Sequence, residues 1–266
     1  MILFVNIFII FVLGTIIGSF LNVVVLRYNT GLSIITGRSI CFSCNKDLHW
    51  YELIPFFSFF MLGGKCLGCS SKISIQYPLI EFITGTVFTG IYLKFGFTPL
   101  LPIYLVIASL LITMSVYDFK HKIIPDGMAF SFIILSFVAM CLTHPLSQIF
   151  SINPVSLDLL AGPILFAFFA FFWLISGGKW MGFGDAKLAL GVGFLLGFSG
   201  GVYAIILAFW IGAGVSLILL ALQKVKIAKL KLTFKSEIPF APFIILSVLI
   251  QLFTSWNLQS IFNILI

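Results

Sequence analysis

Long apolar runs alternate with short polar connections along most of the chain. A run of about 18 or more predominantly apolar residues is long enough to cross the hydrocarbon core of a bilayer as a helix. The pattern predicts eight spans, near 3–26, 77–97, 99–117, 127–143, 157–176, 185–199, 201–223 and 239–256. We therefore expect an all-α polytopic membrane protein with about eight transmembrane helices.

The only long polar segment, 28–76, separates the first span from the others. The chain is accordingly predicted to have three parts: a first transmembrane helix (1–27), a small loop domain (28–76) and a transmembrane core (77–266). The first span has no basic segment before it, and Arg27-Tyr28 after it is not a small-residue cleavage site. These features favour a retained helix over a removed signal peptide.

The charge pattern predicts how the spans are oriented. Only 9% of the residues are charged, against about 25% in ordinary soluble proteins. Fourteen of the fifteen Lys and Arg residues follow odd-numbered spans, and only Lys94 falls on the opposite side. Because basic residues concentrate in cytoplasmic loops, the 28–76 loop is predicted to be cytoplasmic. The net charge of +7 is explained by this topology and by anionic lipid, so we expect the bilayer, and no nucleic acid, as a partner.

Four of the five cysteines lie in the polar loop, as the pairs Cys41/Cys44 and Cys66/Cys69. The gap of 21 residues between the pairs is about one residue beyond the usual window for a four-thiolate zinc site. A cytoplasmic location argues against structural disulfides. Four thiolates leave no open position on a tetrahedral metal, so we expect structural Zn²⁺ that contributes folding energy to a small loop. A redox dithiol pair and an empty site remain open alternatives.

One apolar segment inside the loop, 55–62, is too short to cross a bilayer. Its sequence is Pro-Phe-Phe-Ser-Phe-Phe-Met-Leu. Two interpretations stay open: a buried turn of the metal-binding domain, or a surface that dips into the membrane interface.

Two aspartates are the candidates for chemistry. The chain has only eight acidic residues, and a carboxylate at a membrane boundary is costly unless it has a function. Asp118 ends the third predicted span and Asp185 begins the sixth, so both fall on the cytoplasmic side at comparable depth. Two close carboxylates can share a proton, one acting as base on water while the other protonates a scissile carbonyl. The pattern indicates an aspartic peptidase at the edge of a bilayer.

Residues near the second aspartate support this interpretation. Gly182 and Gly184 remove side chains just before Asp185, which would let an extended substrate approach closely. Lys187 is expected near lipid headgroups or as a counter-charge. The competing interpretation of Gly-x-Gly-Asp is a helix N-cap, and the pairing with Asp118 favours catalysis over it.

Two further acidic residues have secondary roles in the prediction. Pro125 and Asp126 form a helix-start signal for the fourth span, with Asp126 as its cap rather than a third catalytic acid. Glu81, early in the second span, is a secondary candidate for orienting the substrate or binding its amine.

With these motifs the chain resembles the type IV prepilin peptidases, membrane aspartic proteases of the Gly-x-Gly-Asp class. The resemblance covers essentially the whole length. It rests on five blocks in order: Gly18–Val24 with Arg27, the loop from Cys41 to Glu81, Asp118 with Ile124-Pro125-Asp126, Gly182–Leu188, and Pro239–Phe243. Departures are Phe42 in place of the family's usual proline, Glu52-Leu53 where an Asp-Asn-like pair is common, and Ala241 in place of glycine.

The resemblance implies an activity and its partners. Family members cleave the basic leader of prepilins and pseudopilins, just after a glycine, on the cytoplasmic side of the bacterial inner membrane. They serve type IV pili and type II secretion, and many also methylate the new N-terminal residue with S-adenosylmethionine. The chain has no glycine-rich nucleotide-binding pattern, so the S-adenosylmethionine cofactor is implied by the resemblance alone.

Two other classes of membrane protein fit the sequence less well. A proton-coupled transporter is expected to carry its acids near the middle of the spans, whereas Asp118 and Asp185 lie at span ends. A thiol oxidoreductase is expected to carry its cysteine pairs on the oxidising outer face, contrary to the charge asymmetry.

Overall fold

The fold is all-α in the part of the chain that the structure, a computed structural model, describes: residues 1–143, 154–224 and 239–254. Within these ranges no strand forms, and pairing is limited to two isolated β-bridges. A single 3₁₀ turn covers Trp50–Leu53. The helices are α1 (Ile2–Arg27), α2 (Phe57–Met61), α3 (Gln76–Phe95), α4 (Leu101–His121), α5 (Asp126–Thr143), α6 (Pro154–Ser176), α7 (Phe183–Lys224) and α8 (Ala241–Thr254).

The all-α polytopic architecture predicted from hydropathy is confirmed. Among the described residues, five helices are long and apolar enough to cross a membrane, namely α1, α4, α5, α6 and α7. The predicted second and eighth spans correspond to α3 and α8, and positions 255–256 of the eighth lie outside the described residues. The predicted sixth and seventh spans both lie in α7, a 42-residue run in which two helices meet at a kink at Gly197. The expected count of eight is thus approximately met.

The chain divides into two compact units, Met1–Thr113 and Met114–Ile266. In the first unit α1 and α3 lie antiparallel, with Gly14 opposite Gly85 and Gly18 opposite Glu81. A Cβ added at Gly14 or Gly18 would come within 2.7 Å of the facing Cα. Small residues of this kind let membrane helices approach backbone to backbone. The contact between α1 and α3 brings the two ends of the 28–76 loop to the same side, because α1 ends and α3 begins there.

In the second unit α5, α6 and α8 pack around α7. Gly193 of α7 lies directly against the α6 backbone, where an added Cβ would be 2.5 Å from Ala161 C and from Gly162 Cα. On another face of α7, Gly212 lies next to the ring of Phe243 in α8. These close contacts fix α7, and with it the start of the helix where Asp185 lies.

A kink interrupts α7 at Gly197, whose φ of 70° and ψ of −175° are not helical. The backbone N–H of Phe198 donates to Asp158 Oδ1 of α6 at 2.8 Å. A Cβ at Gly197 would meet that same carboxylate oxygen at 2.5 Å. The carboxylate therefore acts as an N-cap from another helix for the second half of α7, and only glycine fits both the dihedral angles and the space.

Candidate active site and metal site

The two candidate aspartates lie at opposite ends of their helices within the second unit. Asp118 is in the last turn of α4, and Asp185 is in the first turn of α7. Both are buried, with 6% and 8% of their surface exposed, respectively. The Asp118 carboxylate is close enough to act electrostatically on Asp185. In the described ranges neither carboxylate forms an ion pair with a basic side chain. The structure thus brings together the two residues that the sequence singled out.

Backbone N–H groups are the hydrogen-bond donors to these carboxylates. Asp118 accepts a hydrogen bond from the N–H of Ala241, the first residue of α8. Asp185 accepts one from the N–H of Gly182, and its own N–H donates to Gly182 O at 3.1 Å. Sequence reasoning missed the Ala241 donor. The Pro239–Phe243 block was noted as a motif, but nothing in it indicated that its backbone faces Asp118.

The two glycines before Asp185 differ in their surroundings. A Cβ added at Gly184 would meet the buried Ile124 side chain at 3.0 Å, so this glycine makes room for Ile124. Gly182 is exposed, and a Cβ there would have only ordinary contacts, the nearest being Asp185 Oδ2 at 3.8 Å. Gly182 therefore leaves the space that the sequence predicted for an extended substrate strand. Gly184 instead has a packing role.

Lys187 joins the starts of α5 and α7. Its Nζ donates to Asp126 Oδ1 at 2.6 Å and lies 5.5 Å and 5.2 Å from the ring centres of Phe130 and Phe183. Asp126 is the first residue of α5, and its carboxylate is engaged by Lys187. Pro125, buried just before it, accepts the N–H of Ala129 at 3.0 Å. Lys187 is thus the counter-charge of Asp126 and not of Asp185.

The four loop cysteines form a cluster that could hold a metal ion. Their sulfur atoms all lie within 4.8 Å of one another, and Cys41 Sγ is 3.9 Å from Cys69 Sγ. Four sulfurs placed tetrahedrally at about 2.3 Å from Zn²⁺ would be about 3.8 Å apart. Cys66 is buried, whereas Cys44 and Cys69 are exposed. The cluster is thus within about 1 Å of the sulfur–sulfur separations that a four-thiolate metal site requires.

Each cysteine pair is carried by the same local turn. In the first, Cys41 N–H donates to Lys46 O at 2.9 Å and Asn45 N–H to Cys41 O at 2.8 Å. In the second, Cys66 N–H donates to Ser71 O at 3.0 Å and Ser70 N–H to Cys66 O at 2.9 Å. The matching residues Asn45 and Ser70 have φ values of 56° and 55°. The two turns therefore present their sulfurs in equivalent ways.

Hydrogen bonds in these turns favour the thiolate, the form that binds a metal, at Cys41 and Cys69, whereas the neighbouring Cys69 thiol raises the pKa of Cys44 to about 11 although the backbone N–H of Lys46 lowers it. Backbone N–H groups of Ser43 and Cys44 lower the pKa of Cys41 to about 6. The side chain and the backbone of Ser71 lower the pKa of Cys69. Two of the four cysteines are thus suited to a cation before it binds, and a cation would favour deprotonation of the others.

Glu81 has a structural partner in the first unit. Its Oε2 accepts the backbone N–H of Phe56 at 2.7 Å, and its side chain also hydrogen bonds with Ser19. With 7% of its surface exposed, Glu81 holds the loop segment around Phe56 against α3. The sequence had suggested a substrate-binding role for Glu81 and gave no sign of this contact.

Comparisons with known proteins agree with the motif-based resemblance. Residues 12–95 match the bacterial peptidase A24 N-terminal domain, and residues 105–217 match the type IV leader peptidase family. No solved structure matches the chain.

Several curated bacterial relatives share one printed name, prepilin leader peptidase/N-methyltransferase. The chain is 34% identical to the Bacillus subtilis protein over 237 residues, 88% of each chain. It is 28% identical to the Pseudomonas aeruginosa protein over 256 residues, 87% of this chain and 84% of the relative. A Myxococcus xanthus protein is 44% identical over 118 residues, 44% of this chain and 35% of the relative. The chain, a multi-pass bacterial membrane protein, belongs to the type IV leader peptidase family.

Proposed function

We propose that this protein is a membrane aspartic endopeptidase that removes the leader of type IV prepilins and pseudopilins after a glycine, with Asp118 and Asp185 as its catalytic pair. One observation carries the proposal: two buried carboxylates lie at helix ends, Asp118 close enough to act electrostatically on Asp185, and no basic side chain in the described residues forms an ion pair with either. A structural pair of this kind would be costly. Family membership supports the substrate class, and residues 77–266 form the proposed peptidase core.

The chemistry follows from one proton shared by two carboxylates. The ionised carboxylate takes a proton from water, and the oxygen of that water attacks the scissile carbonyl carbon. The protonated carboxylate donates its proton to the carbonyl oxygen. When the tetrahedral intermediate collapses, the C–N bond breaks and the amine leaves with a proton. The backbone N–H groups of Ala241 and Gly182 orient the two acids during these steps.

The proposed location is the bacterial inner membrane, with the active site facing the cytoplasm. The concentration of Lys and Arg in the connections after odd-numbered spans supports this orientation. Asp118 ends α4 and Asp185 begins α7, so both lie at the cytoplasmic boundary. A basic leader on a membrane-anchored substrate would reach the pair from that side.

Two further groups belong to the proposal. Structural Zn²⁺ is held by Cys41, Cys44, Cys66 and Cys69, and contributes folding energy to the 28–76 loop. The second half of the relatives' printed name supports a second activity, methylation of the newly exposed N-terminal amine with S-adenosylmethionine.

The catalytic pair is tested by cleavage of a purified prepilin in proteoliposomes. Asp118→Asn and Asp185→Asn should each lower the cleavage rate by about 10²–10⁴-fold, the usual contribution of general acid–base catalysis. Asp47→Asn is a matched control, because Asp47 is an exposed loop acid paired with Arg38 at 3.4 Å. Near-normal cleavage by either of the first two variants, with unfolding curves unchanged, would refute the assignment.

A further inference from the structure

An exposed apolar surface interrupts the polar loop between the two cysteine pairs. We call residues 54–62 the aromatic turn; it contains helix α2. Phe57, Phe60 and Met61 are 67%, 63% and 83% exposed. Burying a side chain of this size is worth about 1.5–3 kcal/mol, so three of them grouped on one surface require a partner. The structure therefore removes one of the two interpretations left open by the sequence, the buried turn.

The aromatic turn is held alongside α3 at a definite depth. Glu81 accepts the Phe56 N–H at 2.7 Å, and the next residue, Phe82, places its ring 5.7 Å from that of Phe56. Glu81 is five residues into α3, which begins at Gln76. At about 1.5 Å per residue, Phe56 lies about 7 Å along the helix from its loop end. The loop thus folds back beside the membrane helix and does not extend straight into the cytoplasm.

The exposed surface of the turn continues an apolar surface of the membrane helices. Phe82 is 46% exposed, and its ring also contacts Phe11 of α1, with centroids 5.9 Å apart. Because α1 is long and apolar enough to cross a membrane, Phe11 and Phe82 mark a side that faces lipid. Phe56 extends this row of rings to the aromatic turn without a polar break.

Basic residues flank the turn on its loop side. Lys65 and Lys72 are exposed and pair through a β-bridge. Lysines at this position suit the negative surface of a cytoplasmic leaflet, because each contributes about 1 kcal/mol near anionic headgroups. Aromatic residues at the acyl boundary with lysines beside them are the arrangement of an interfacial membrane element, which lies about 5–10 Å deep.

We propose that the aromatic turn inserts into the cytoplasmic interface of the bilayer, and that Glu81 is the positioning residue that holds it there. The proposed partner of the turn is lipid, at the boundary between headgroups and acyl chains. The metal-binding loop is already attached to the membrane through α1 and α3, and the insertion anchors it at one additional point. This inference does not depend on the aspartate pair, so it can fail or hold independently of the proposed activity.

Lipid photo-crosslinking tests the insertion directly. A benzophenone-bearing phenylalanine analogue is placed at Met61, or at Phe57, in the full-length protein reconstituted in phosphatidylethanolamine/phosphatidylglycerol vesicles. Ile35 is the matched control, because it is an apolar residue of the same loop and 89% exposed, but lies outside the turn. After irradiation, intact mass spectrometry should show phospholipid adducts at Met61 and Phe57 and few at Ile35.

Two results would overturn the proposal: equal lipid yields at Met61 and Ile35, or adducts at Met61 formed with a second copy of the chain or an added prepilin instead of lipid. Glu81→Leu, combined with the Met61 probe, tests the positioning role. It should lower the lipid yield, whereas Glu81→Gln, which keeps an oxygen acceptor for the Phe56 N–H, should preserve it. An unchanged yield in Glu81→Leu would remove Glu81 from the proposal. If that variant misfolds, the comparison of Met61 with Ile35 still decides the insertion.

Discussion

Replacing Gly193 by alanine tests whether close packing of α6 against α7 sets the stability of the second unit. Gly193 lies eight residues after Asp185 on the same helix, or about 12 Å along its axis. The new Cβ would come within 2.5 Å of Ala161 C and Gly162 Cα. Because these are backbone atoms and cannot rotate away, α6 must move away from α7. Gly214, also in α7, is the matched control, because no atom lies within 4 Å of a Cβ added there.

The magnitude follows from two opposing terms. In a helix, alanine is favoured over glycine by about 1 kcal/mol, and this gain applies to both variants. Carbon atoms pack best at about 3.5–4 Å, so a contact at 2.5 Å requires the helices to separate by about 1 Å or more. Overpacking of this kind costs about 1–3 kcal/mol. Because the helix-propensity gain cancels, Gly193→Ala should be less stable than Gly214→Ala by about 1–3 kcal/mol, or about 5–150-fold in the unfolding equilibrium.

Reversible unfolding in mixed micelles, titrated with sodium dodecyl sulfate, measures this difference. The two variants are compared at identical lipid content, and far-UV circular dichroism establishes that each starts with the same helix content. Gly214→Ala should unfold at the same or a higher detergent fraction than the parent protein, and Gly193→Ala at a lower one. Coincident midpoints for the two variants would refute the packing argument.

Three other predictions concern the kink, the ion pair and the metal site. Asp158→Ala removes the acceptor of the Phe198 N–H and should lower stability by about 0.5–2 kcal/mol in the same titration, whereas Asp158→Asn should lose less; equal losses would count against the cap. Lys187→Met breaks a partly exposed ion pair worth about 1 kcal/mol and should lower kcat for leader cleavage several-fold with KM nearly unchanged. Lys187→Arg should restore most of that loss, and an effect on KM alone would contradict a role in aligning α5 and α7. Cys66→Ser should lower the zinc content measured by mass spectrometry, whereas Cys141→Ser should leave it unchanged, and equal zinc in both variants would exclude the four-thiolate site.

Features that depend on local spacing were accessible from the sequence. The hydropathy pattern gave the helices to within a few residues, because a membrane span needs a minimum apolar length. The two Cys-x-x-Cys turns were also accessible, since each is closed by hydrogen bonds within six residues. The positions of Asp118 and Asp185 at helix ends could also be predicted, because both residues fall where an apolar run meets a polar connection.

Features that depend on which helices pack together were not accessible. Lys187 and Asp126 are 61 positions apart, and Phe198 and Asp158 are 40 apart, so no local pattern connects either pair. The cap at the Gly197 kink was missed for the same reason: the break between the two apolar runs could be predicted, but the Asp158 carboxylate that caps the second half of α7 comes from α6. Glu81 accepts its hydrogen bond from the backbone N–H of Phe56. Because almost any residue at position 56 would offer the same N–H, the amino-acid type there could not predict the contact.

The hydrogen bond from Ala241 to Asp118 has a consequence for how this region tolerates change. Since the donor is a main-chain group, the position is defined by chain register as well as by side-chain chemistry. Ala241 is fully buried, so glycine or alanine can occupy it and larger residues cannot. Deleting it would bring Pro242, which has no N–H, to the place of the donor. Deletion of Ala241 should therefore be more damaging than its replacement by glycine.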